Sequence, residues 1–111
     1  KCGAPGMYLR TASAGALQAV GRRAGLDAAA WAEQRFFQKS YKPGRVLSGT
    51  GAGDTCIAAF LLAASQGKTP AQCAALAAAE GACAVTTYDA LSGLKPLDEL
   101  EARINAGWEM M

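Results

Sequence analysis

The chain contains no histidine. An imidazole general base, a histidine-dependent nucleophile triad and the usual Cys/His zinc sets are therefore excluded from anything these residues do on their own. The four cysteines, at positions 2, 56, 73 and 83, form no C-x-x-C pair. Cys56, Cys73 and Cys83 fall in alanine-rich helical stretches and are expected to be small core residues. Reduced thiols of that kind fit a cytoplasmic protein. Charge is also scarce: 18% of residues are charged and the net charge is +2, with the basic residues scattered, so no nucleic-acid footprint is present. The longest unbroken apolar run, Ile57 to Ala64, falls well short of the roughly 20 residues that a membrane span needs. No charged-then-apolar leader precedes a cleavage site, so secretion is not indicated. The first residues are Lys1-Cys2-Gly3, without an initiator methionine, which reads as a cut from something longer. With 51% hydrophobic residues in 111, the composition is that of a soluble globular protein, one domain or part of one.

What is present is a glycine-rich turn, Ser48-Gly49-Thr50-Gly51-Ala52-Gly53-Asp54-Thr55, leading straight into an apolar helical pattern. Glycines allow positive φ and let a backbone approach a ligand closely. A helix start directly behind them offers unpaired N–H groups and the positive end of the macrodipole, which suit an anion. A carboxylate there repels phosphate, so Asp54 needs another reason to be present. It makes sense as the acceptor of a proton from a hydroxyl that attacks a phosphoryl group held by the neighbouring N–H groups. Phosphoryl transfer to an alcohol is the chemistry this arrangement suggests. A simpler reading is that Asp54 caps the helix, since aspartate is a favoured N-cap.

Along the chain, Met7 to Thr11 and Arg35 to Tyr41 read as strands, and Arg45-Val46-Leu47 as a short third one. Residues 12 to 32 are ambiguous: Leu17, Val20, Ala24 and Trp31 could line a helix that Gly15, Gly21 and Gly25 interrupt. A helix is predicted from about Gly53 to Ser65, with Ile57, Phe60, Leu61 and Ala64 on its buried face and Gly67 as its stop. Thr69-Pro70-Ala71-Gln72 has the threonine, proline and glutamine of a strong helix start, and an alanine-rich helix follows to about Thr86. Pro96 with Asp98, Glu99 and Glu101 opens a last helix ending near Gly107.

Three phosphate-binding patterns fit the turn poorly. A P-loop needs lysine where Thr50 stands. A dinucleotide turn needs a third glycine that comes one residue early or is replaced by Cys56. The G-x-G-x-G turn of S-adenosylmethionine-dependent methyltransferases is similar to Gly49 through Gly53, but that fold needs a second strand ending in an acid about 20 residues on. Here that region is the helix start at Thr69, and the first acid after Asp54 is Glu80.

The stretch Gly51-Ala52-Gly53-Asp54-Thr55-Cys56-Ile57-Ala58-Ala59-Phe60-Leu61 closely resembles the C-terminal signature of the ribokinase-like (PfkB) carbohydrate kinases. Cys2-Gly3-Ala4-Pro5-Gly6-Met7 looks like that family's strand and turn beside the nucleotide phosphates. Ala71 to Thr87 looks like its alanine-rich helix, and Leu94-Lys95-Pro96 like its final loop. The resemblance implies an α/β fold, the C-terminal portion of a three-layer α/β/α kinase domain over residues 1–111, with the sugar-binding half and lid absent. It implies that Asp54 is the catalytic base and that the backbone of Gly51, Ala52 and Gly53, with the Asp54 N–H, forms the anion hole. Gly3 and Gly6 would lie against the nucleotide, and Ala78 against the adenine. ATP and a small sugar-like alcohol are the implied substrates and Mg2+ the cofactor, in a cytoplasmic enzyme that is a homo-oligomer at full length. Two departures stand out. Ser48-Gly49 replaces the family's Asp-Thr, whose aspartate commonly helps hold a monovalent cation, and a neutral serine oxygen argues against cation activation. Asp89-Ala90 replaces its Gly-Ala after the alanine-rich helix. A non-catalytic nucleotide-binding fragment is the alternative.

Overall fold

The computed structural model describes residues 6–13, 15–17, 28–49, 51–86 and 94–110. Their order is β1 (Gly6–Arg10), α1 (Ala28–Trp31), β2 (Arg35–Lys39), α2 (Ala52–Ser65), α3 (Pro70–Ala84) and α4 (Leu97–Asn105). Among the described residues the sheet is two-stranded and antiparallel, with Gly6 opposite Lys39 and Arg10 opposite Arg35. This mixed content does not by itself form three layers. Alternation sorts the faces: Met7, Leu9, Phe36 and Gln38 are half-buried, while Tyr8 and Phe37 pair across the exposed face. Gly6 has φ +138°, and a Cβ there would lie 2.0 Å from the Gln38 carbonyl oxygen, so the pairing requires glycine. Thr11 then ties the hairpin to the end of α1: its hydroxyl donates to the Trp31 carbonyl and accepts from Gln34 N–H at 2.7 Å.

The helix boundaries reflect their end chemistry. The α3 start is a complete capping box, the Thr69 hydroxyl accepting from Gln72 N–H and the Gln72 side chain accepting from Thr69 N–H. Helix α2 ends in a Schellman arrangement: Gly67 is left-handed at φ +79°, its N–H bonds Ala64 O, and Lys68 N–H bonds Ala63 O. The expected third strand at residues 45–47 does not form. Leu47 N–H (2.7 Å) and Ser48 N–H (3.3 Å) both donate to the Val85 carbonyl, so the segment is fastened to the end of a helix instead of a sheet.

Helix α3 is the centre of the molecule. It packs against α2, α4 and both strands, and buries residues on nearly every face. Because α3 is mostly alanine, α2 approaches closely and meets it with its own smallest residues. The buried face of α2 is therefore Thr55, Ala59 and Ala63, with Phe60 and Ala64 half-buried. The expectation that Ile57 and Leu61 face inward is overturned: they are 47% and 62% exposed, and Leu62 is 51% exposed. Trp31 meets the edge of Phe60 with ring centroids 5.9 Å apart, which docks α1 on α2.

Candidate active site at the glycine turn

Gly51 adopts the left-handed conformation (φ 78°) and is the N-cap of α2, with no side-chain cap hydrogen bond. Asp54 thus sits in the first helical turn and is not the cap, which removes the simpler explanation for it. Its side chain is exposed. Helix geometry leaves the N–H groups of Ala52, Gly53 and Asp54 without partners inside the helix. Ala52 N–H makes a long contact to Gly49 O (3.3 Å), and the regular ladder begins with Thr55 N–H to Gly51 O (2.9 Å). Buried Thr55 turns its hydroxyl back to Ala52 O at 2.9 Å, bracing the turn from below.

Beside this helix start lies a cavity of about 480 Å³. Ala52 and Gly53 form its wall at the start of α2, Cys56, Ala78, Gly81 and Ala82 its floor, and Gly6 with residues of the 40–46 segment the opposite side. The structure so brings Gly6, Ala52, Gly53 and Ala78 to one hollow, with Asp54 next in the chain. Gly3 and Asp89-Ala90 lie outside the described residues. Gly53 is helical, so glycine there does not serve a turn conformation.

Sequence reasoning missed two residues of this hollow. Cys56 is half-exposed and lines the cavity, not the core. Gly81 faces it so closely that a Cβ would lie 2.5 Å from Cys56 Sγ. The signal for Gly81 was in the spacing: 78, 81, 82 and 85 fall on one helical face, and glycine is costly in a helix interior unless something approaches it. Cys73 and Cys83 are buried as expected; burial pushes the Cys73 thiol up to about 11 and raises that of Cys83, so neither is a ready nucleophile. Buried Glu80, on the far side of α3, accepts from Lys95 N–H at 2.7 Å. Burial holds its carboxyl above the usual range, partly offset by that hydrogen bond and by the Lys95 charge.

The family model that matches this chain is that of the pfkB family carbohydrate kinases, over residues 9–96. The chain belongs to the pfkB family. The match takes in the whole glycine turn, Asp54 and Ala78; Gly6 and α4 lie outside it. The crystal structure of Methanocaldococcus jannaschii nucleoside kinase, an archaeal member of the ribokinase family, is similar to this pfkB-family chain at 27% identity and a TM-score of 0.63, covering 66% of this chain and 24% of that one. The chain therefore spans about a quarter of that kinase's length. Among curated proteins, none matches. No described helix of the pfkB-family chain is long and apolar enough to cross a membrane.

Proposed function

We propose that this chain is the nucleotide-side, base-carrying portion of a ribokinase-like kinase that transfers the γ-phosphate of ATP to a sugar-type hydroxyl. One observation carries the reading: an apolar hollow large enough for a purine adjoins a helix N-terminus, whose first N–H groups lie outside the helix's own ladder and which carries an exposed, non-capping carboxylate in its first turn. The base would lie over Ala78, Gly81 and Cys56, and the phosphates would reach the first turn of α2. There the N–H groups of Gly53 and Asp54 face charge that grows on the transferring group, without having to reorganise. Asp54, held near the positive helix end, accepts the proton of the attacking hydroxyl.

Magnesium would enter with the nucleotide and neutralise phosphate charge. The ion is then carried by phosphate oxygens, with no dedicated protein cage required. In this reading the chain is a C-terminal piece of the enzyme, whose sugar-holding residues and lid come from elsewhere in the protein. The methyltransferase alternative loses its support, since the region that should supply its second strand is the capped start of α3.

The test is Asp54→Asn in the full-length protein. Turnover should fall about 10²–10⁴-fold, the range for loss of a general base, with ATP affinity nearly unchanged. A variant that keeps turnover within threefold of wild type would remove Asp54 from the mechanism. ATP binding without sugar-dependent ADP release by the wild type would instead favour the non-catalytic alternative.

A further inference from the structure

The wall of the cavity opposite α3 is built by a segment without regular structure. Ser40, Tyr41, Pro43 and Val46 line the hollow, yet residues 40 and 42–49 belong to no strand or helix. At its far end this segment is fastened by the two hydrogen bonds to the Val85 carbonyl. At its near end it is fastened by residues 108–110. After α4, Gly107 turns the chain with φ +98°, and residues 108–110 run back along residues 41 and 42. Lys42 N–H donates to Glu109 O at 2.7 Å, and Tyr41 and Met110 form an isolated antiparallel bridge. Trp108 Nε1–H donates to the Lys42 carbonyl at 2.9 Å, and the indole stacks on the Tyr41 ring with centroids 5.0 Å apart and planes 28° from parallel. Arg103, in the last turn of α4, places its guanidinium carbon 3.7 Å from the Trp108 ring centroid, so the indole is itself held.

We infer that Trp108 is a positioning residue for the nucleotide base: without lining the cavity, it holds Tyr41 and the 40–43 segment in place as the wall against which the base packs. The inference rests on reading the cavity as the nucleotide pocket. Its physical basis is preorganisation. A wall already fixed before the ligand arrives does not have to be ordered on binding, and that ordering cost would otherwise be subtracted from affinity. The phosphate end of the site is built by the first turn of α2, and none of the hydrogen bonds and ring contacts that make up this clamp involves that turn, so the two parts of the ligand should respond differently to its loss.

The experiment compares ATP with inorganic tripolyphosphate, which carries phosphates and no base, on the full-length protein by titration calorimetry. Trp108→Ala should weaken ATP about tenfold, the scale of a few newly ordered side chains, while tripolyphosphate binds as to wild type. Turnover at saturating ATP should hold while KM for ATP rises. Trp108→Phe keeps an aromatic ring over Tyr41 and loses the indole N–H, so it should weaken ATP by about threefold, the net value of one hydrogen bond. Should Trp108→Ala fail to fold, the phenylalanine variant decides alone. ATP affinity unchanged in the variant that decides overturns the inference, and so does parallel weakening of ATP and tripolyphosphate, which marks general destabilisation. Wild-type protein that binds tripolyphosphate but gains nothing from the base brings down the pocket reading itself.

Discussion

Glu80 shows how one side chain can set a pH response. Its carboxyl is buried against α4 and the 94–96 loop, and burial raises it above the ordinary value of 4.5. An acid with a raised folded pKa holds its proton longer in the folded chain than in the unfolded one. The stability it contributes is present in full below the unfolded pKa and declines as pH rises through the folded one. Glu80→Gln keeps an acceptor for Lys95 N–H and removes the charge. The variant should therefore be more stable than wild type at neutral pH, with the difference closing below pH 4.5, read by urea unfolding across the pH range. Gly6 makes a contrasting case, since no titration is involved. Gly6→Ala forces a Cβ to 2.0 Å from the Gln38 carbonyl in a backbone conformation that alanine avoids. The loss should be at least the ~1–3 kcal/mol of ordinary overpacking, seen as a lower urea midpoint. Glycine was expected at that position for the sake of a ligand; the strand pairing alone is sufficient to demand it.

At the level of elements, the ends were legible and the faces were not. Thr69-Pro70 with Gln72, Gly67, and Pro96 before two acids are local chemistry, and each marks a boundary within a residue or two of where it lies. Thr69→Ala should accordingly cost about 1 kcal/mol by removing half the capping box, measured by chemical denaturation. Which side of α2 faces inward is decided by its neighbour. Ile57, Leu61 and Leu62 have the stronger hydrophobicity, but the alanine surface of α3 selects the side that lets the helices approach. Local sequence does not contain that choice. The 45–47 segment failed for a related reason: a short apolar run becomes a strand only if a partner edge lies beside it, and here the nearest acceptor is the Val85 carbonyl. The helix start at Gly51 to Asp54 was readable because turn chemistry is local, whereas Cys56 entered the cavity lining beside Gly81, a contact between two helices. That contact predicts non-additivity. In a Cys56→Ala background, Gly81→Ala should stabilise by roughly 0.5–1 kcal/mol through helix propensity. With Cys56 in place the gain should shrink or reverse, because Sγ must rotate into the cavity, and a double-mutant cycle by thermal unfolding measures the difference.

Considered whole, in the proposed reaction this chain would supply the acceptor of the proton and the donors for the phosphate, while residues elsewhere in the protein would hold the sugar in line. The isolated 111-residue chain is expected to show no sugar-dependent ADP release above an Asp54→Asn control. The outer side of α2 adds a second expectation. Ile57, Leu61 and Leu62 form a contiguous exposed apolar strip, so the isolated chain should self-associate, and Leu61→Gln with Leu62→Gln should reduce that in light scattering. The contrast between the two sides of the cavity has its own consequence, in the timing of backbone exposure. Amides of α3, capped at its start and surrounded by other elements, should exchange with deuterium only when the whole domain opens, while those of residues 40–49 can exchange through small local openings. A ligand in the hollow touches both. A ligand that binds only the folded chain would slow the α3 amides by the full binding factor. It would slow the 40–49 amides by that factor only where their opening also releases the ligand, so comparing the two sets would tell whether the wall must open for the ligand to leave.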